Sequence, residues 1–154
     1  MALTIDYQLT GTGWSACRVS RGEEACDISA SYLTDALGNL LLCAYGAVSG
    51  FSNVSFGFDE EPGEYRWVIR VTAANEISVE ILSFEELWSN APDSEGKRLL
   101  YTTCEPLEFA EAALAAADHV LDQHGIEGYR AKWVEPFPEK QLSLLREKVE
   151  YLRK

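Results

Sequence analysis

Leu3, Ile5, Tyr7 and Leu9 alternate with Thr4, Asp6, Gln8 and Thr10, the two-residue period of a strand with one face buried and the other in water. Gly11-Thr12-Gly13 then turns the chain, and residues 14–20 and 23–29 read as two more strands around Arg21-Gly22. A two-residue turn there sets Cys17 directly opposite Cys26, a pair that would bridge in an oxidising compartment and otherwise packs as two thiols. From Tyr32 the period lengthens. Leu33, Leu37, Leu40, Leu41, Ala44, Ala47 and Val48 share one arc of a helix over residues 32–48, with Ser31 placed to cap it. Leu42 and Tyr45 fall outside that arc, so they either meet a second layer or stay exposed as contact residues.

The stretch FDEEPGEYRW at 58–67 predicts a hairpin. With Pro62-Gly63 at the centre of a type II turn, Phe58 faces Trp67, Phe56 faces Ile69 and Val54 faces Val71, while Asp59 opposes Arg66 on the other face. A longer loop or a bulge would shift this register. Residues 77–82 return as another strand, 89–97 (SNAPDSEGK) form a loop and 99–104 a further strand. Pro106 opens a second helix that should stop before Gly125, residues 129–135 read as a last extended segment, and a third helix covers 139–153. Hairpin-linked strands interrupted by single helices point to an α+β fold, an antiparallel sheet packed by helices mainly on one face. A chain of 154 residues suits a single domain over 1–154.

Charge changes the picture next. The 25 acidic and 13 basic residues give a net charge of −12, which disfavours nucleic acid and anionic lipid as partners. Residues 1–58 sum to −3, 59–130 to −11 and 131–154 to +2, so the middle of the chain carries nearly all the acidity. No stretch approaches the roughly 20 apolar residues of a membrane span, and MALTIDYQLT resembles no export leader, so a cytoplasmic location is expected. Cys17, Cys26, Cys43 and Cys104 lack zinc-type spacing and are expected to be reduced core residues.

Candidate chemistry is sparse. The hairpin-tip acids Asp59, Glu60, Glu61 and Glu64 lie beside a tight turn and match no calcium loop, so a solvated tip is favoured over a catalytic dyad. On the second helix Glu108, Glu111, Asp118 and Asp122 fall within an arc of about 80° with no base among them, either a solvated face or a docking face. The two histidines, His119 and His124, diverge by about 140° and cannot share a metal. No catalytic constellation and no phosphate loop is present, so neither an enzyme nor a cofactor is expected. Leu144 and Tyr151 lie apart from the buried stripe of the third helix and suggest a second packing contact or a modest dimer seam.

The segments SYLTDALGNLL, FDEEPGEYRW and GYRAKWVEPFP together resemble small acidic bacterial proteins of uncharacterised function, and chains of this size and charge are similar to the immunity proteins encoded beside secreted toxins. That resemblance implies a cytoplasmic protein that neutralises a toxin domain, often a basic nuclease or deaminase, and it transfers no site residue. Independently of it, the concentrated acidity suits a protein-binding inhibitor with a basic partner. The interface residues expected are Asp59, Glu60, Glu61, Glu64, Trp88, Asp93, Glu95, Glu108, Glu111, Asp118 and Asp122. Two other readings remain. One is a ligand-binding protein or enzyme with a pocket lined by Trp14, Tyr45, Trp67 and Tyr101. The other is a homo-oligomer using the third-helix seam, the chain being a monomer or weak homodimer in the inhibitor reading.

Overall fold

The alternating segments of the first 104 residues all form strands. The computed structural model describes residues 2–88 and 90–154, so Ser89 of the 89–97 loop lies outside the described residues. In chain order come β1 (Thr4–Gly11), β2 (Trp14–Arg21), β3 (Glu24–Ser31), α1 (Ala36–Val48), β4 (Asn53–Glu60), β5 (Gly63–Ala73) and β6 (Glu76–Phe84). A short 3-10 turn (Asp93–Glu95), β7 (Lys97–Cys104), α2 (Pro106–Trp133) and α3 (Glu139–Leu152) complete the chain. The fold is α+β: one antiparallel sheet in the order β1-β2-β3, a second in the order β4-β5-β6-β7, and helices packed on the sheets.

Two sheets form where one was expected: β3 and β4, separated in the chain by α1, do not pair. The edge strand β3 meets the second sheet only through side chains. Ser31 Oγ donates to the Asp59 carbonyl (3.0 Å), and the Glu24 carboxylate accepts the Tyr101 N–H (3.4 Å). Between sheets and helices runs one apolar cluster in which α2 lies along β1, α1 against β4, and α3 across both helices. An aromatic series holds its centre: Tyr7 edge-on to Phe58, Phe58 against Trp67, and Trp67 against Phe109 of α2.

Four expectations change. In β2–β3, Gly22 (φ 62) takes the first position of a Gly22-Glu23 turn, a position glycine fills without strain. Cys17 therefore pairs with Ile28 and Cys26 with Val19, and all four cysteines are buried free thiols. In β4–β5 the turn is Glu61-Pro62. Phe56 faces Trp67, Val54 faces Ile69, and Phe58 faces Tyr65. Gly63 belongs to the strand because β6 passes too close for any side chain: a Cβ there would stand 2.3 Å from the Phe84 carbonyl oxygen.

Helix α1 starts at Ala36, not Tyr32. Asp35 is its cap, its carboxylate accepting the Gly38 N–H (3.1 Å), while Ser31 is spent on Asp59. The last change is in α2, where residues 129–135 are not extended. Gly125 adopts φ 68, ψ 175, a region essentially restricted to glycine, and helix resumes beyond it. Tyr129 and Trp133, spaced by one helical turn, are both fully buried, with Tyr129 edge-on to Phe137.

Candidate functional site

Strand parity assigns the second sheet two unlike faces. Phe56, Trp67, Ile81 and Leu100 form an inner row, while Gly57, Arg66, Leu82 and Arg98 form a neighbouring outer row. On the outer face charges of alternating sign join into one chain. Glu64 meets Arg66 (3.5 Å), Arg66 meets Asp93 (2.9 Å), Asp93 meets Arg70 (2.9 Å), Arg70 meets Glu80 (3.7 Å) and Glu80 meets Arg98 (2.7 Å). An isolated exposed pair contributes about 0–1 kcal/mol, but the nearly buried carboxylates of Glu64 and Glu80 would be costly without their guanidinium partners. Arg66 is the most committed of the six. It also donates to the Ala91 carbonyl (2.7 Å) and lies 4.1 Å from the centre of the Phe84 ring.

Above this floor the loop after β6 folds back over the β4–β5 hairpin. The Leu87 N–H donates to the Pro62 carbonyl (2.8 Å), which brings Glu85 and Glu86 to the Glu61-Pro62 turn. Trp88 follows at positive φ (58), with 67% of its surface exposed, and its indole N–H donates to Asp59 Oδ2 (3.1 Å). Asp59 is thus a buried anchor, 4% exposed, rather than part of a solvated tip. The expected Asp59–Arg66 pair is absent because the register sets Asp59 opposite Glu64 and Arg66 opposite Gly57. Trp88, Gly57, Glu64, Arg66, Arg70 and Asp93 line an open groove of about 690 Å³ whose far wall is β4.

The other expected interface residues separate into two groups. Three acids of α2 are held within the molecule. Glu108 accepts from Arg21 Nε (2.9 Å) and from the Leu3 N–H (2.7 Å), Glu111 pairs with Arg153 (2.6 Å), and Asp118 takes a two-pronged contact from Arg146. Asp122 and Glu95 are exposed, Glu95 at the end of the 3-10 turn. Burial alone would raise the Glu108 pKa, but the Arg21 guanidinium and the Leu3 N–H outweigh it and hold the carboxyl below its ordinary value.

The aromatic pocket expected from Trp14, Tyr45, Trp67 and Tyr101 does not assemble. Trp67 points into the core, Tyr101 lies on the opposite face of the same sheet, Trp14 is partly exposed on the first sheet, and Tyr45 lines a separate groove of about 620 Å³ with Leu144 and Tyr151. Among the described residues no group of three His, Cys, Asp or Glu side chains is arranged to hold a metal ion, and no helix is long and apolar enough to cross a membrane.

Gly57, Glu80, Glu85, Glu86 and the three arginines of the sheet were not among the expected site residues. Their only signal in the sequence is parity: Arg66 and Arg70, four apart in one strand, must share a face. Comparison of the chain with protein-family models, with curated proteins and with solved structures gives no match.

Proposed function

We propose that this protein is a protein-binding inhibitor that docks a basic partner against the acidic rim around Trp88. The observation that carries the reading is Trp88 itself, a mostly exposed indole fixed by a buried carboxylate. Large aromatics held in place, with little rotamer freedom left to lose, are the residues that dominate binding energy at interfaces. Next to it in the chain stand the exposed carboxylates of Glu85 and Glu86, and the Leu87–Pro62 hydrogen bond brings the exposed Glu61 to the same end of the hairpin. Such a rim attracts a positively charged surface before contact and raises the association rate. The α2 acids contribute less to that field, since Arg21, Arg146 and Arg153 neutralise three of them.

The resemblance to immunity proteins extends this reading to a bacterial toxin domain as the partner. The test screens the products of the adjacent genes for a basic toxin-like domain, purified in a catalytically dead form, with binding followed by surface plasmon resonance. Trp88→Ala should weaken binding by about 2 kcal/mol or more, a hot-spot loss. The triple reversal Glu61→Lys, Glu85→Lys and Glu86→Lys should lower the association rate by about tenfold at low salt. Unchanged binding in both variants would refute the assignment.

A further inference from the structure

Helix α1 carries no charged residue along Ala36–Val48. A helix that is apolar on every side is normally covered on every side. The core covers one arc of α1 and α3 crosses it, yet Leu42 keeps 45% of its surface exposed. Tyr45, one turn further on the same side, is half-buried and lines the groove of about 620 Å³ together with Leu144 and Tyr151. Those two residues stand two turns apart on α3, 46% and 69% exposed. Phe51 widens the patch: it is exposed, and its ring packs over Gly46, four positions after Leu42 on α1. Contiguous apolar surface with a polar rim marks a protein–protein contact.

The rim identifies the occupant. Glu147, Lys148, Glu150 and Lys154 line the groove, two acids and two lysines with no net charge between them, in a molecule of net charge −12. Among the described residues none of the four makes an ion pair within the chain, and the Lys148 ammonium lies instead 5.7 Å from the centre of the Tyr151 ring. A basic partner gains nothing from a neutral rim. A second copy of the chain is repelled by the acidic faces and meets no such repulsion here. A two-fold interface must also be complementary to itself. Each copy offers both signs around an apolar centre, so Glu147 and Glu150 of one protomer can meet Lys148 and Lys154 of its partner.

We infer that the α1–α3 face is a homodimer seam, in which a second copy of this chain covers Leu42, Tyr45, Leu144 and Tyr151 about a two-fold axis. The seam groove shares no residue with the groove beside Trp88, so the dimer leaves both docking rims free. Each protomer keeps its own closed core, and association is therefore reversible.

Sedimentation velocity of the full-length protein tests this at loadings from about 1 μM to about 500 μM, where mass action shifts a reversible dimer. The mass should rise with concentration from 17.1 kDa toward twice that value. Leu144→Glu, which sets a carboxylate in the apolar centre, should hold the chain at the monomer mass, and Tyr151→Ala should weaken association by about tenfold or more. Two charge variants keep the outcome decisive without touching the apolar residues. Lys148→Glu with Lys154→Glu makes the rim wholly acidic, and Glu147→Lys with Glu150→Lys makes it wholly basic. Each should be monomeric alone, and an equimolar mixture of the two should dimerise. Trp88→Ala should leave the mass unchanged. A monomer at every concentration, a dimer that survives Leu144→Glu, charge variants that self-associate as well as they mix, or dissociation caused by Trp88→Ala would overturn the proposal. Loss of the seam would leave the docking rim standing, because the charge reversals at Glu61, Glu85 and Glu86 test that rim with the partner protein.

Discussion

Removal from water raises the pKa of every cysteine in this chain, with Cys26 pushed up to about 11, Cys43 and Cys104 up to about 12, and Cys17, the most deeply desolvated, higher still. A rise of two pH units leaves about 100-fold less thiolate than an ordinary thiol would hold at the same pH. Native protein at pH 8 should therefore react slowly with a thiol-specific disulfide reagent, Cys26 first, and all four should react rapidly in denaturant, as absorbance would show. Glu108 carries the opposite kind of shift. Its folded pKa lies below the ordinary 4.5, so its contribution to stability is present above that value and is lost as pH falls through the folded value. Glu108→Gln removes that dependence. Urea unfolding at about pH 6, 4 and 3 should show stability falling less steeply with acid in the variant than in the native chain.

Regular elements follow their local patterns, and their ends follow tertiary contacts. The β4–β5 pairing moved by two residues from the expected one, and a shift of two leaves every side chain on its original face. Hydrophobic alternation cannot distinguish these registers. What does is the passage of Phe84 and Glu85 against Gly63, a contact made by residues more than twenty positions away. The break in α2 has the reverse logic. Nothing lies within 4 Å of the Gly125 Cβ position, so the glycine is required by backbone conformation alone. Gly125→Ala should destabilise the protein by about 1–3 kcal/mol despite the open space around it, measurable as a lower denaturation midpoint with an unchanged slope. The segment beyond it, 129–135, alternates as a strand would, yet Tyr129 and Trp133 also match one helical turn. Over so few residues the two periods are indistinguishable until the core is packed.

At the scale of the whole molecule, a net charge of −12 does not mean twenty-five free carboxylates. Over the outer face of the second sheet Glu64, Glu80 and Asp93 of the 3-10 turn balance three arginines, and α2 gives up three of its four stripe acids to cations from β2, from α3 and from Arg153 just beyond it. At the hairpin end the exposed acids are Glu61, Glu85 and Glu86, while Asp59 is buried and Glu64 is paired with Arg66. If that rim steers the partner, raising ionic strength should slow association far more than it speeds dissociation. The slope of log association rate against salt should flatten in the triple reversal of Glu61, Glu85 and Glu86.

The chain by itself determined which residues face inward along β1, β4, β5 and β6, the helical character of α1, of α3 and of α2 up to Gly125, and with these the α+β class, because burial periodicity is written between neighbours two to four positions apart. Only the tertiary structure decided which charges are spent. Arg21 reaches Glu108 across 87 positions, Arg153 reaches Glu111 across 42, and Trp88 reaches Asp59 across 29. An ion pair depends on where whole elements come to rest against one another, and no local period encodes that.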